Sequence, residues 1–214
     1  GMGRSHARAY HASKRAELVA ICDLNEALLA DYSQQFPEAK TYTSYEEMFA
    51  EAKLDAVSIA LPNFLHAPVT IAALNAGINV LCEKPMAVTS ADAQKMLDAS
   101  RATGKKLMIH FNYRYSPQSQ FLKRYVDEGH LGQIYYARTR WLRSRGIPKL
   151  GGWFGIKRLS GGGPLIDLGV HRLDLAMWLM GYPKALSVSA SSYNLLGARI
   201  AEQQGAQFDC EDLV

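Results

Sequence analysis

The sequence predicts an α/β fold, with a parallel sheet in its first half and a smaller α+β region after it. Two observations predict this fold class. Short apolar runs alternate with helical segments as far as residue 111, which is the pattern of parallel strands joined by helices. Near residue 115 the alternation stops, and a mixed pattern of helices and strands follows. We therefore expect two domains, at 1–115 and 116–214, and the apolar content of 48% is enough for a sizeable core.

The composition excludes several classes of protein. Lys and Arg total 24 against 20 Asp and Glu, a net charge of +4, and no nucleic-acid-binding motif is present, so we expect no nucleic-acid partner. No apolar stretch reaches the length of a membrane span, and the first residues lack a signal pattern. The three cysteines, Cys22, Cys82 and Cys210, have no metal-type spacing, and their odd number favours reduced thiols. We expect a cytoplasmic protein with no membrane contact and no bound metal.

The strands of the first half are recognised as apolar runs between turn residues. They are expected at 17–23, 40–43, 54–61, 79–82 and 106–111. The helices between them have capping and breaking residues at their ends: Ser44 and Glu47 form a capping-box pattern, and Gly77 and Gly104 stop the helices before them. These helices are expected up to residue 12 and at 26–36, 44–52, 67–76 and 90–103.

The beginning of the chain has part of a dinucleotide-binding pattern. Gly1, Met2 and Gly3 precede a helical segment, and Asp23 ends the next strand, at the spacing of roughly twenty residues that places an acid on the adenosine ribose. An acid there favours NAD over NADP, because it repels a 2′-phosphate. The alternative is that Asp23 is a turn or cap residue. Such a fold also needs an apolar strand before the glycines, and none is present. We expect either a missing first strand or an expression remnant, Gly1, before a native Met2.

Glu83-Lys84-Pro85 directly follows the strand at 79–82. The segment from 54 to 82 reads as a strand–helix–strand unit, so Lys84 leaves the carboxyl end of a parallel strand. Open α/β sheets bind ligands at that edge. A lone Lys-Pro pair favours an ordinary surface lysine instead, and the case for function therefore depends on the other motifs.

The second half is organised around one apolar helix, expected at 164–180 between a glycine run and Gly181. Its apolar residues point in nearly every direction, so we expect most of it to be buried. Asp167, His171 and Asp174 follow at i, i+4 and i+7 and share one face, where buried polar groups need partners or a wet cavity. The alternatives are a solvated stripe or a core histidine satisfied by a neighbouring Asp. A helix at 118–128 and strands at 134–142 and 185–193 complete this region.

Five motifs, in order along nearly the whole chain, together resemble the Gfo/Idh/MocA family of oxidoreductases, the glucose-fructose oxidoreductase and inositol dehydrogenase group. The chain departs from the family's pattern at both ends, where it looks cut. The matching segments are Gly1-Met2-Gly3-Arg4-Ser5-His6, Ala60-Leu61-Pro62-Asn63 with His66, 76–85 ending in Glu83-Lys84-Pro85, Phe111-Asn112-Tyr113-Arg114-Tyr115, and 161–174 with its Asp-x-x-x-His pattern.

The resemblance implies a Rossmann domain holding NAD, with NADP less favoured, and a second domain that supplies substrate contacts. It implies that Lys84 lies near the nicotinamide, that His171 is the acid/base residue and that Asp167 binds a substrate hydroxyl. The positions that it implies for cofactor binding are Gly1, Met2, Gly3, Asp23, Leu61, Pro62, Asn63, His66, Glu83, Lys84 and Asn112. For Asn63 and His66 the residues leave alternatives open, a turn role after Pro62 and a helix cap.

Two functions follow. The first is an NAD-dependent oxidoreductase acting on a hydroxyl carbon of a sugar, inositol or related polyol; the second is a truncated, non-catalytic relative that acts as a binding or assembly module. Relatives have further strands in their second-domain sheet, and losing those strands exposes a sheet edge, so we expect a homo-oligomer, a dimer or tetramer, that covers it. The stretch 129–166 has no acidic residue, which suits a carboxylated or phosphorylated sugar, although a solvated basic face or a subunit contact is preferred. Its basic residues are Arg138, Arg140, Arg143, Arg145, Lys149, Lys157 and Arg158.

Overall fold

The chain forms two compact units in a computed structural model that describes residues 1–143 and 152–212. The first unit comprises 1–61, 65–86 and 90–109, and the second comprises 62–64, 87–89 and the residues from 110 onward. Arg145 and Lys149, which belong to the predicted basic stretch, lie outside the described residues. The other five basic residues of that stretch are exposed to solvent. Among the described residues, no helix combines the length and the apolar character needed to cross a membrane.

The first half alternates strands and helices as predicted, and all five predicted strands are confirmed. The elements are α1 (Met2–His11), β1 (Ala20–Cys22), α2 (Glu26–Gln35), β2 (Lys40–Tyr42), α3 (Tyr45–Glu51), β3 (Ala56–Ile59), α4 (Asn63–Asn75), β4 (Asn79–Glu83), α5 (Ser90–Thr103) and β5 (Leu107–His110). Ser44 caps α3, accepting from the backbone of Glu47 at 3.1 Å, as its capping-box pattern predicts. Helix α4 begins at Asn63 rather than at 67 and contains Pro68.

The strands of the described residues form two separate sheets rather than one. The first has the order β1-β2 and the second the order β3-β4-β5. The β1/β2 and β3/β4 pairs are both parallel, with Ala20 opposite Lys40 and Ala56 opposite Asn79. In a doubly wound sheet of order 3-2-1-4-5-6, these two groups flank the first strand on either side. None of the described residues forms that strand, which explains why the sheet is in two pieces.

The core of the first unit lies around α4 and β4. Ala73, Leu74, Met96 and Cys82 are completely buried there. Burial raises the pKa of Cys82 to about 12, so this thiol stays protonated and packs as a small apolar side chain. Cys22 is only half-buried, with a pKa raised to about 11, mainly by the same loss of hydration.

The second half is helical where it is regular. Its helices are α6 (Pro117–Asp127), α7 (Lys157–Ser160), α8 (Val170–Leu179) and α9 (Gly197–Gln203). Single turns of 3-10 helix cover Asn112–Tyr115 and Trp153–Gly155, and a π-helical turn at Leu165–Gly169 runs directly into α8. The predicted helix at 164–180 is therefore confirmed, but its first turn is wider than an α-helix.

Three expectations for the second half are wrong. The segments 134–142 and 185–193 pair with no strand among the described residues, apart from one isolated bridge at Tyr193. Their alternating pattern is real, but a strand also needs a neighbour to accept its backbone hydrogen bonds, and Tyr135 and Leu186 are 92% and 90% exposed. Most of α8 is only half-buried, because an open groove runs along it beside α6. Leu173 on this helix is 55% exposed.

Candidate active site

The carboxyl ends of β3 and β4 lie side by side. Ile59 is opposite Cys82 in the register of the two strands, so Leu61 and Glu83-Lys84 leave the sheet at the same edge. Glu83 and Pro85 are buried and Lys84 is half-buried, and the Lys84–Pro85 peptide bond is cis. This is the edge at which the sequence predicts ligand binding.

His66 connects these two strand ends. It lies on α4 and is 1% exposed. Its Nδ1 is 2.6 Å from the Pro85 carbonyl oxygen, and its Nε2 is 2.9 Å from the Leu61 carbonyl oxygen. Both ring nitrogens therefore bind backbone carbonyl groups, and the buried His66 side chain links the segments that follow β3 and β4.

A second buried pair joins α1 to the same edge. The His6 Nε2 lies 2.9 Å from the Glu83 Oε1, and both side chains are buried. The other carboxylate oxygen of Glu83 accepts from the backbone N–H of Lys84 at 3.3 Å. His6 belongs to the motif at 1–6, and no role was predicted for it. Its position three residues after Gly3, on the buried face of α1, is the signal that predicts a contact with the sheet.

The start of α1 is suited to an anion. Gly1 precedes the helix, no side chain caps its first turn, and that turn has no acidic residue. Backbone N–H groups at such a helix end attract phosphate. A Cβ at Gly3 would meet the Ala60 Cβ at 3.8 Å, an ordinary contact, so the fold itself does not require glycine there.

Asp23 lies at the end of β1, as predicted, and makes a local turn. Its Oδ1 accepts from the Asn25 backbone N–H at 2.9 Å, and Asn25 in turn caps α2. The turn role that the sequence left open is therefore present. A ribose contact of Asp23 stays a prediction.

In the second unit, His171 lies on the first turn of α8 in an aromatic environment. It is 8% exposed, and its ring meets the Tyr113 ring edge-on at a centroid distance of 5.0 Å. The Trp141 ring is 6.2 Å away. The Arg172 guanidinium lies over both aromatic rings, 5.2 Å from the centroid of Tyr113 and 4.8 Å from that of Trp141. The aromatic neighbours were not assigned from the sequence, because they lie 58 and 30 residues before His171 in the chain (171 − 113 and 171 − 141).

Asp167 and Asp174 differ in role, although the sequence places them on one stripe. Asp174 binds Arg114 through two hydrogen bonds, one of them 2.7 Å from Nε, and raises the pKa of that guanidinium. Asp174 therefore has a structural role. Because its hydrogen bonds go to Arg114, it does not support the alternative in which a neighbouring Asp satisfies His171. Asp167 lies in the π-helical turn, where its backbone N–H donates to the Gly163 carbonyl at 3.1 Å.

Asn63 supports the loop that leads to Asp167. It is 5% exposed, and its side-chain amide donates to the Ser160 carbonyl at 2.7 Å. Gly161 follows with a φ of +89°, and a Cβ there would lie 2.6 Å from the Ile166 side chain. That turn therefore requires glycine. Asn112, the other amide among the predicted residues, opens the 3-10 turn and is exposed.

The structure divides these predicted residues between its two units. Leu61, His66, Glu83 and Lys84 form one group in the first unit, and Asn63, Asp167 and His171 belong to the second. The expectation that Lys84 lies near the nicotinamide and that His171 is the acid/base residue of the same reaction concerns both units and stays a prediction.

Comparison with known proteins gives two family matches. A family model described as an oxidoreductase family with an NAD-binding Rossmann fold matches residues 1–111, and one described as the GFO/IDH/MocA C-terminal domain matches 119–212. Among curated proteins, a D-glucoside 3-dehydrogenase of Escherichia coli (strain K12) is 38% identical over 206 residues, covering 95% of this chain and 58% of that protein. A levoglucosan dehydrogenase of Pseudarthrobacter phenanthrenivorans is 30% identical, with 90% and 52% covered.

Solved structures show the same likeness. GenD2 from gentamicin A biosynthesis, in complex with NAD, matches with a TM-score of 0.81 at 26% identity and covers 99% of this chain and 57% of that one. A levoglucosan dehydrogenase in complex with NADH matches with a TM-score of 0.74 at 29% identity, with 85% and 51% covered. The chain spans about half the length of the relatives that it matches.

Proposed function

Because the chain belongs to the Gfo/Idh/MocA oxidoreductase family, we propose that it carries the cofactor-binding and proton-transfer groups of an NAD-dependent dehydrogenase acting on a sugar or polyol hydroxyl. One observation carries this proposal: Lys84 leaves the carboxyl end of a parallel strand on a turn that the buried Glu83 and His66 hold in place. A rigid support of this kind suits a cation that must meet a reacting atom.

The described residues fit a dinucleotide. The uncapped N-terminus of α1 suits its pyrophosphate, Asp23 at the end of β1 suits the ribose hydroxyls, and the edge beside Leu61 and Lys84 suits the nicotinamide. Asp23 favours NAD over NADP, since a carboxylate there repels a 2′-phosphate. His66 and Asn63 would act on the cofactor through the backbone that they hold, because the amide of Asn63 and both ring nitrogens of His66 bind carbonyl oxygens.

Oxidation of a secondary alcohol removes a hydride from carbon and a proton from oxygen, leaving a carbonyl group. The nicotinamide supplies the hydride acceptor when it is bound. The imidazole of His171 accepts the proton, a role that suits a side chain with one basic ring nitrogen in its neutral form. The Lys84 ammonium stabilises the negative charge that develops on the oxygen, and Asp167 binds and orients the substrate hydroxyl.

The names of the relatives support the proposed substrate class. D-glucoside, levoglucosan and inositol dehydrogenases are among the proteins that this chain resembles, and all three names describe oxidation of hydroxylated rings. We place the reaction in the cytoplasm, in a homo-oligomer. The alternative function, a binding or assembly module without catalysis, is favoured by the two-piece sheet and by the segments 134–142 and 185–193, which form no ladder with any described strand.

Titration with NADH, followed by its fluorescence, tests the proposal. We expect saturable binding by the wild type, and His171→Ala should bind NADH equally well while losing oxidation of every member of a polyol panel. A folded protein that shows no binding at millimolar NADH would overturn the dehydrogenase proposal and favour the module. Equal turnover by His171→Ala and wild type would overturn the role of His171.

A further inference from the structure

A guanidinium group lies close to the His171 imidazole. Arg172 is on the same turn of α8, and the rings under its guanidinium, Tyr113 and Trp141, are the rings that pack against His171. The Tyr113 centroid is 5.0 Å from the imidazole centroid and 5.2 Å from the guanidinium carbon. The separation of the imidazole and the guanidinium therefore cannot exceed the sum of those two distances, about 10 Å. All four residues belong to the second unit.

Two guanidinium groups meet at the ring of Trp141. The Cζ atom of Arg172 is 4.8 Å from the centroid of this ring, and that of Arg143 is 5.3 Å from it. Arg143 is exposed and belongs to the stretch 129–166, which has no acidic residue. Two cations at one ring create a local positive potential that attracts an anion.

Neither guanidinium is neutralised within the part of the chain that the structure describes. No carboxylate there forms an ion pair with Arg143 or Arg172, and Asp174, two residues after Arg172, binds Arg114 instead. The Nε of Arg172 is buried and has no hydrogen-bond partner among the described residues. The side chain as a whole is half-buried and lines the open groove along α8, so a ligand can reach the guanidinium from solvent.

We propose that Arg172, assisted by Arg143, binds an oxyanion of the sugar substrate, a carboxylate or a phosphate. A guanidinium that stacks on aromatic rings keeps its N–H edge for a ligand, and this planar edge matches two oxygens of a carboxylate or phosphate. With the reacting hydroxyl at His171, a six-carbon sugar acid is long enough to reach Arg172. The proposal narrows the substrate class to sugar acids or sugar phosphates, and it rests on the proposed function.

The alternative is that Arg172 serves packing alone. Its contacts with Tyr113 and Trp141 would then hold these rings against His171, and loss of the guanidinium would affect neutral and anionic sugars by the same factor. A ligand role makes the effect depend on the charge of the sugar. The two roles are therefore distinguished by a ratio of affinities rather than by one affinity.

Calorimetric titration of the wild type with three sugars that differ at one carbon tests the proposal. The sugars are glucose, glucuronate, and glucose phosphorylated at the carbon that is a carboxylate in glucuronate. We expect at least one anion to bind about tenfold or more tightly than glucose, as for a gained charged hydrogen bond, and added salt to reduce this preference. The tighter anion identifies the oxyanion as carboxylate or phosphate. Equal affinities for the three sugars, or no binding of either anion, overturn the proposal.

Substitutions assign the preference to its residues. Arg172→Met keeps an apolar side chain without the charge and should abolish the preference, whereas Arg172→Lys should restore part of it. Arg143→Met should reduce it by a smaller factor, and because Arg143 is exposed this variant removes no buried contact. The matched control is Arg158→Met, at an exposed position of α7, which changes the net charge equally and should leave the preference intact. A preference that survives Arg172→Met, or falls equally with Arg158→Met, overturns the proposal.

NADH titration separates this proposal from the proposed function. A wild type that binds an anionic sugar through Arg172 and does not bind NADH overturns the dehydrogenase proposal and leaves the oxyanion site in place. A wild type that binds NADH and oxidises glucose, with no preference for the anionic sugars, overturns the oxyanion site and leaves the dehydrogenase proposal in place.

Discussion

At the scale of a single residue, Gly3 is a position where glycine is needed for cofactor binding and not for packing of the fold. A Cβ at this position makes only ordinary contact with Ala60, and alanine favours a helix by up to about 1 kcal/mol over glycine. We therefore predict that Gly3→Ala raises the melting temperature slightly and weakens NADH binding about tenfold or more, because the Cβ blocks the close approach of the pyrophosphate.

The control for Gly3 is Ser33→Ala, at an exposed position inside α2. It improves helix propensity in the same way and should leave NADH affinity unchanged. Thermal denaturation and NADH fluorescence measure the two effects separately. An alanine at position 3 that destabilises the protein and leaves the affinity intact would show that the glycine serves packing instead.

Residue roles were predictable where the signal is local and not where it depends on a distant partner. The position of Lys84 at a strand end followed from the apolar run before it. The pairing of Asp174 with Arg114 did not, because the two residues are 60 apart in the chain and the stripe of Asp167, His171 and Asp174 gives all three the same appearance. The two carbonyl contacts of His66 also depend on how the ends of two strands meet.

At the scale of elements, the Arg114–Asp174 pair ties the 3-10 turn at Asn112–Tyr115 to α8. Asp174 has a side chain that is 9% exposed and Arg114 one that is 26% exposed. We predict that Asp174→Asn destabilises the protein by about 1–3 kcal/mol, since a partly buried charged hydrogen-bond partner is lost. Turnover should also fall, because Tyr113 in that turn packs against His171.

The matched control is Asp127→Asn on α6, where the Lys123–Asp127 pair has an Asp that is 57% exposed. An exposed pair of this kind contributes at most about 0.5 kcal/mol. Urea denaturation of both variants gives the comparison, and NADH affinity should be unchanged in both. Equal destabilisation by the two substitutions would show that the Arg114–Asp174 pair contributes no more to the free energy of unfolding than the exposed pair.

Elements were predicted well where their own residues decide them. The five strands and the helices between them carry local signals, such as the cap at Ser44 and the stop at Gly77. The segments 134–142 and 185–193 have the same local signal for a strand, yet they form no ladder with the described residues, since a ladder depends on a partner that periodicity does not reveal.

At the scale of the whole molecule, the exposed segment 185–193, which forms no ladder with the described residues, predicts self-association. Leu186 and Val188 alternate with serines and are 90% and 89% exposed, so one apolar face of this segment meets solvent if its backbone is extended. An edge of this kind pairs with a second copy or another chain. We expect the wild type to sediment as a dimer or larger species in analytical ultracentrifugation, and Leu186→Lys with Val188→Lys to shift it toward the monomer.

The alternation along this segment supplies its own control. Ser187 lies between the two apolar residues and, in an extended chain, points to the opposite face. Ser187→Lys adds one of the same charges at a neighbouring position, so it should leave the association nearly unchanged if the apolar face makes the contact. An equal effect of Ser187→Lys would assign the change to net charge, and a monomeric wild type would contradict the association itself. Because all three side chains are exposed, none of these substitutions removes a buried contact, and a change in sedimentation reports on assembly rather than on folding.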